Sequence, residues 1–252
     1  MEEIVALQNI RFSPLLLLFT VCTWEGVLCD EQAEVTVEAI FLPKTGIPGT
    51  IPSELGKLTT LKAITIPQGQ LRGTIPSEIA KLPHLEIINL SQNKLTGSIP
   101  VFESPHLRSL DLGYNQFTGT LPSNVCNDKK KMTDFDIIHN KVSGQMPSCF
   151  STMGSLVTLS LSENLFSGSI PSSFGDLLVL EYLYLDNNFL MGMIPPSIAR
   201  VDSALREFWL QENLLSGTIP ATLADITNLK DFYIDGKLIY CLFLLNIFFQ
   251  GC

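Results

Sequence analysis

The chain has 252 residues with 46% hydrophobic content, which supplies a sizeable core and excludes a disordered polymer. Lys+Arg 16 against Asp+Glu 25 leaves a net charge of −9, which argues against a sequence-independent grip on nucleic-acid phosphates and favours cationic partners. Gly 17 and Pro 15 are ordinary totals, but both recur at near-fixed intervals, so the organisation is repetitive.

Residues 1–21 hold the apolar run Pro14 to Val21, the length of a signal-peptide core and too short to span a bilayer. Glu2 and Glu3 make its start acidic, and no small-residue cleavage site precedes Cys22. Cys22 and Cys29 are close enough in sequence to staple a short loop, which suggests an oxidising, secretory compartment. From Val37 one phrase then recurs, clearest as Leu85-x-x-Ile88-x-Leu90-x-x-Asn93-x-Leu95-x-Gly97-x-Ile99-Pro100. Units open at Val37, Leu61, Leu85, Leu107, Met132, Leu156, Leu180, Leu205 and Leu229, separated by 24, 24, 22, 25, 24, 24, 25 and 24 residues. That period is one supersecondary unit, so 37–239 is read as a solenoid of about nine repeats. The tail 240–252 is apolar, departs from the repeat and is shorter than a membrane span requires.

Each recurring residue has a mechanical task. The alternation Leu-x-Leu is the period of a short strand with one buried face, so its neighbours face outward. The Asn at the ninth place (Asn93, Asn115, Asn140, Asn164, Asn188, Asn213) can donate and accept where the chain turns inside the stack, and successive copies predict a ladder. Gly at the thirteenth place supplies a positive φ or a close backbone approach. The following Ile-Pro, Leu-Pro or Met-Pro plugs the core before the chain turns back over the outer side. Thr45 and Gly69 stand where the first two ladder asparagines belong.

With this phrase in eight successive copies, the sequence resembles the plant-type leucine-rich repeats over about residues 22–239, and Gly-x-Ile-Pro is specific to that class. The segment 22–36, with Cys22-x-Trp24-x-Gly26-Val27-x-Cys29, resembles the paired-cysteine cap that precedes such arrays. The resemblance implies that Cys22 and Cys29 are disulfide-bonded. It also implies an α/β repeat solenoid: a horseshoe with a concave parallel sheet, a second short-strand sheet and 3₁₀ or loop returns on the convex side. Members include receptor-like kinases, receptor-like proteins and secreted inhibitors of pectin-degrading enzymes, all of which use the array to bind. No phosphate-loop, catalytic-loop or metal-binding kinase signature occurs in this sequence, no cofactor motif accompanies the repeats, and catalysis is not expected.

The leucines fix the register of the outward residues, whose central column reads Phe41, Thr65, Asn89, Asp111, Asp136, Ser160, Tyr184, Trp209, Tyr233. Three aromatics end it. With the flanking Tyr182, Asp186, Glu207, Gln211, Glu212, Asp231 and Asp235 they form an expected ligand surface of rings interleaved with carboxylates. The expected ligand is a protein, peptide or glycan of cationic character, with a co-receptor as a further partner, at the cell surface or outside the cell. The alternatives are the ectodomain of a receptor-like kinase and an inhibitor of a polysaccharide hydrolase. Asp111, Asp134, Asp136 and His139 lack the spacing of a metal or acid–base site and read as a solvated acidic face. His84 and His106 read as surface-turn residues, and Lys129–Lys131 as a solvated loop. Cys126 and Cys149 lie on the convex side of adjacent repeats, where a disulfide depends on a Cα separation below ~7 Å. Cys241 and Cys252 have no assignable partner.

Overall fold

A computed structural model describes residues 26–30, 36–42, 46–200, 202–234 and 239–240. Thr45, Asp235, Cys22, Cys241 and Cys252 lie outside these residues. Short strands stack into a ten-stranded inner sheet that runs from Val27–Asp30 to Asp231–Tyr233. Val27–Asp30 joins Thr36–Phe41 antiparallel and closes one end, and every later pairing in the sheet is parallel. In most of these strands only the middle residue, such as Ile64, Phe135 or Phe208, is buried, as the Leu-x-Leu alternation requires. An eight-stranded sheet from Pro48–Thr50 to Leu214–Leu215 forms the lateral wall, and Gly217–Thr218 pairs separately with Ile239–Tyr240.

The outer returns are the 3₁₀ and loop segments expected of the convex side. Among the described residues, the only α-turn is Ser77–Ala80, of four residues, while Ser53–Lys57, Ser148–Thr152, Ser172–Asp176, Pro196–Ile198 and Ala221–Asp225 are 3₁₀ turns. The cause is the repeat length. Two strands and the Gly-x-Ile-Pro turn leave too few residues for a cooperative α-helix, so tighter i→i+3 bonds close the return. In the units that form a helical return, the proline sits at the head of the turn, and its carbonyl accepts the first such bond, as in Ile79 N–H to Pro76 O at 3.1 Å. Between sheet and returns runs one continuous apolar core. Its centre is a run of edge-packed phenylalanines, Phe150 lying 5.1 Å from Phe135 and 6.1 Å from Phe174.

The asparagines form the ladder. Asn164 Oδ1 accepts from the Val142 amide at 3.0 Å, while its Nδ2 donates to Ile137 O at 2.9 Å, to Leu161 O at 3.2 Å and to Ser162 O at 3.0 Å. Asn93, Asn115, Asn140, Asn188 and Asn213 repeat the pattern, each clamping its own strand exit and the one before it. Gly69 lacks the side chain for a reason: a Cβ there would lie 2.5 Å from Asn93 Oδ1. The thirteenth-place glycines are left-handed; at Gly144 (φ 86°) a Cβ would also approach Thr120 Cγ2 to 2.8 Å.

Repeats of unusual length adjust on the convex side. The unit opening at Leu85 is two residues short of the usual period and forms no helical return. There Ser104, fully buried, donates its hydroxyl to Leu85 O at 2.7 Å and Pro83 O at 3.0 Å. The next unit is one residue longer than the usual period. It buries Lys129, correcting the expectation of a solvated lysine run: the ammonium donates to Asn127 O at 3.0 Å, and burial lowers its pKa despite Asp128 and Glu103 nearby. A disulfide joins Cys126 to Cys149 across adjacent returns, with Cα atoms 5.8 Å apart, which settles that pairing. Cys29 is also disulfide-bonded, and its expected partner Cys22 lies outside the described residues.

Replacing Asn164 by Ala leaves buried backbone groups in two repeats without partners at ~1–3 kcal/mol each, so unfolding free energy should fall by about 3 kcal/mol in denaturant titration. Ser104→Ala, which orphans fewer groups, should cost about half as much. Equal and small losses would show that the stack is held by apolar burial alone.

Candidate functional site

Parallel register places the outward residues in columns. Asn89, Asp111, Asp136, Ser160, Tyr184, Trp209 and Tyr233 are successive partners in the inner sheet, as the leucine spacing requires. At the C-terminal end three strands form a grid: Tyr182, Glu207 and Asp231 in one column, Tyr184, Trp209 and Tyr233 in the next. Gln211 and Asp186 continue the third column, while Asp235 falls outside the described residues.

The aromatic column is close-packed. Trp209 lies 4.7 Å from Tyr184 and 5.4 Å from Tyr233, both edge-on, and Tyr182 lies 6.3 Å from Tyr184. Tyr184 Oη donates to Glu207 Oε2 at 2.8 Å, and burial together with that carboxylate raises the phenol pKa. Asp231 and Glu212 are exposed, whereas Glu207, Gln211 and the rings are half-buried. Trp209 Nε1 and Gln211 Oε1 are closed from solvent and find no hydrogen-bond partner among the described residues. Asp186 does not belong to the accessible surface expected of it. It is 6% exposed, accepting from Ser162 Oγ on one oxygen and from Asn187 Nδ2 at 2.7 Å on the other. Ser160 is buried too, so the column is covered just before the aromatics begin.

The acidic stretch serves the fold. Asp111 Oδ1 accepts from the Gly113 amide at 3.1 Å and Asp136 Oδ1 from Ile138 at 2.9 Å, as the uncharged Asn89 does from Ser91 at 3.1 Å. Burial raises both carboxyl pKa values, that of Asp136 to about 6, with Asp111 and Asp134 adding repulsion and the Ile138 amide opposing. His139 stacks on Tyr114 at 5.0 Å and its Nδ1 lies 2.6 Å from Glu163 Oε2, and no group able to hold a metal occurs among the described residues. His84 and His106 stack at 6.2 Å on the outer side.

Two features escaped the sequence reading. The residue before each ladder Asn is left-handed without being glycine: Gln92, Tyr114, His139, Glu163, Asn187 and Glu212 have φ between 52 and 55°. The lateral sheet also changes character along its length. The place after the ladder Asn reads Lys94, Gln116 and Lys141 early but Leu165, Phe189 and Leu214 later. With Met191 and Met193 these are 42–64% exposed and form an apolar patch across adjacent strands. A count of apolar residues at that one place would have revealed it.

Leucine-rich-repeat family models match residues 84–103, 106–127 and 130–190. No curated protein matches the sequence. Among solved structures, the ectodomain of the Arabidopsis thaliana receptor kinase GASSHO1/SCHENGEN3, in complex with CASPARIAN STRIP INTEGRITY FACTOR 2, is 28% identical with a TM-score of 0.81, over 86% of this chain and 27% of that one. The Arabidopsis receptor kinase HAESA, in complex with the peptide hormone IDA and the co-receptor SERK1, is 28% identical with a TM-score of 0.75, over 86% and 40%. The plant peptide hormone receptor RGFR1, in complex with RGF2, is 30% identical with a TM-score of 0.69, over 80% and 36%. The chain thus spans well under half the length of each. Among the described residues no helix is long and apolar enough to cross a membrane.

The raised Asp136 pKa gives a pH test. The folded state holds that proton more firmly than the unfolded chain, so stability falls as pH rises from about 4 through about 6 and the full penalty remains above. Asp136→Asn keeps the Ile138 contact and should stabilise the protein by about 1 kcal/mol at pH 7, with the gain vanishing near pH 4 in thermal unfolding. A gain independent of pH would assign the effect to packing.

Proposed function

We propose that this chain, which belongs to the plant-type leucine-rich-repeat proteins, is a non-catalytic recognition module that captures a peptide on its concave face, in the manner of a receptor ectodomain. The observation that carries the reading is the grid of Tyr182, Tyr184, Trp209 and Tyr233 with Glu207 and Asp231, set on a rigid parallel sheet. Half-buried rings offer large contact area at low entropic cost, and the ladder fixes their spacing before any ligand arrives, so little ordering remains for binding to oppose. The similar peptide hormone receptor RGFR1, held with RGF2, and HAESA, held with the peptide hormone IDA, support a peptide over a glycan. The Cys126–Cys149 and Cys29 disulfides support a secretory route to the cell surface or beyond it.

The lateral patch of Leu165, Phe189, Met191, Met193 and Leu214 is assigned to the apolar face of a co-receptor, since HAESA is held with one in its complex. It adjoins the same C-terminal repeats as the aromatic grid, so one partner can sense the occupancy of the other.

Peptides selected from a random displayed library against the whole protein test the site. Tyr184→Ala with Trp209→Ala should reduce their affinity at least a hundredfold in a protein that still unfolds cooperatively, and unchanged binding would move the site elsewhere. With a selected peptide present, Phe189→Glu with Met193→Glu should abolish association with the SERK1 ectodomain in size-exclusion chromatography. Association equal to that of the parent protein would remove the co-receptor from that wall.

A further inference from the structure

Asn89-Leu90-Ser91 is the one Asn-x-Ser or Asn-x-Thr triplet in the chain, and the inner strand Ile87–Asn89 holds its asparagine on the outward, concave side. The fold uses only half of that side chain. Asn89 Oδ1 accepts from the Ser91 amide at 3.1 Å and from the Ser91 hydroxyl at 2.7 Å. In the next two repeats Asp111 and Asp136 do the same work for the Gly113 and Ile138 amides with a carboxylate oxygen. An acceptor is therefore all that the place requires, and the Asn89 nitrogen answers no backbone need. The hydroxyl is equally optional, since glycine and isoleucine stand where Ser91 does. Beside the amide lies Asp111, whose pKa burial raises and which the Gly113 amide, then Ser91, then Asn89 pull back down. An amide substituted once keeps an N–H for that contact.

The surroundings leave room. Ala63 and Thr65 precede Ile87 and Asn89 in register, and Ser109 and Asp111 follow. No ring stands on an outward place of the inner strands from Ala63 to Ser160. Tyr184 is four strands from Asn89, about 19 Å at the usual strand spacing.

We infer that Asn89 carries an N-linked oligosaccharide, which covers the N-terminal half of the concave face and leaves the aromatic end open to peptide. The modification rests on the secretory reading of the disulfides. Its donor is an oligosaccharide on a lipid diphosphate. Transfer forms a bond between Asn89 Nδ2 and the anomeric carbon and breaks that carbon's bond to the diphosphate, which leaves with the electron pair; one of the two amide protons goes to solvent. The step takes place on the extended chain, before stacking buries Ser91, and the product then lies over short side chains. A bulky hydrated glycan displaces no apolar contact there, whereas over Tyr184 and Trp209 it would compete with a ligand.

The test uses the whole chain behind a host signal peptide in a secreting mammalian cell line, with protein collected from the medium and mapped by mass spectrometry. The tryptic peptide Leu82–Lys94 should carry an oligosaccharide. Release by a peptide-N-glycosidase in heavy-oxygen water should turn Asn89 into labelled aspartate, while Asn93, a ladder residue in the same peptide, stays unlabelled. Ser91→Ala should abolish the glycan and Ser91→Thr should retain it. Asn89→Asp should abolish it in a protein that folds normally, since an acceptor remains. Unmodified Asn89 in secreted protein whose Cys126–Cys149 disulfide is intact would overturn the site and leave the secretory reading standing. Free Cys126 and Cys149 thiols in that protein would overturn the secretory reading and the modification that rests on it. Peptides selected at the aromatic end should bind the glycosylated parent and Asn89→Asp equally, and a tenfold difference would overturn the division of the face.

Discussion

The asparagine ladder is the constraint on which the rest of the molecule depends. Inner strands of three residues are too short to fix their own register, and a slip of one would turn every leucine outward. The carboxamide prevents it. Each one bonds to the exit of its own strand and to that of the strand before, so adjacent repeats are locked at one point per turn. Variation in repeat length must then be absorbed on the far side. The short unit does so with a buried serine hydroxyl, and the long unit that follows it with a buried lysine and a disulfide to the next return.

The ladder also sustains local strain. A non-glycine residue in the left-handed region costs on the order of 1 kcal/mol and persists only where its surroundings determine the backbone. Six such residues precede six ladder asparagines, and in each case the next side chain is fixed by bonds to both neighbouring turns. Gln68 takes the same conformation before Gly69, so the turn sets it with or without the asparagine, and the preceding place is free in chemistry. It holds glutamine, tyrosine, histidine, glutamate and asparagine, and in the middle of the array these meet as the Tyr114–His139 stack and the His139–Glu163 pair.

This division explains what could be read from the sequence. Apolar periodicity, the ninth-place Asn and the thirteenth-place Gly each encode a backbone requirement, so solenoid, register and outward columns were legible from residue types alone. Burial of polar residues was not. Asp186 lies in an outward column, and only its pairing with Ser162 one repeat away closes it from solvent, a relation between two variable positions. Lys129 misled in the same way, because a run of three lysines reads as solvated whether or not one of them finds a carbonyl beneath it. The lateral patch was missed for another reason: the repeat consensus assigns no task to the place after the asparagine, so its change from lysine to leucine carried no structural signal.

The net charge of −9 now has an arrangement. Along one edge of the inner sheet, Lys62 pairs with Glu38, Arg108 with Glu86 at 3.4 Å and Arg206 with Glu181 at 2.9 Å, each joining neighbouring repeats. These exposed pairs contribute little stability individually, on the order of 0–1 kcal/mol, but they retain basic side chains at the rim. Inside the rim the columns carry carboxylates without lysine or arginine, from Asp111 and Asp136 to Glu207 and Asp231. In the middle repeats each central carboxylate holds a backbone amide two residues on, so it is already engaged. In the aromatic grid that backbone task is absent, and the carboxylates face a column of rings instead. The carboxylates therefore hold the backbone in the middle of the sheet, where their charge costs stability, and flank a column of rings at its C-terminal end.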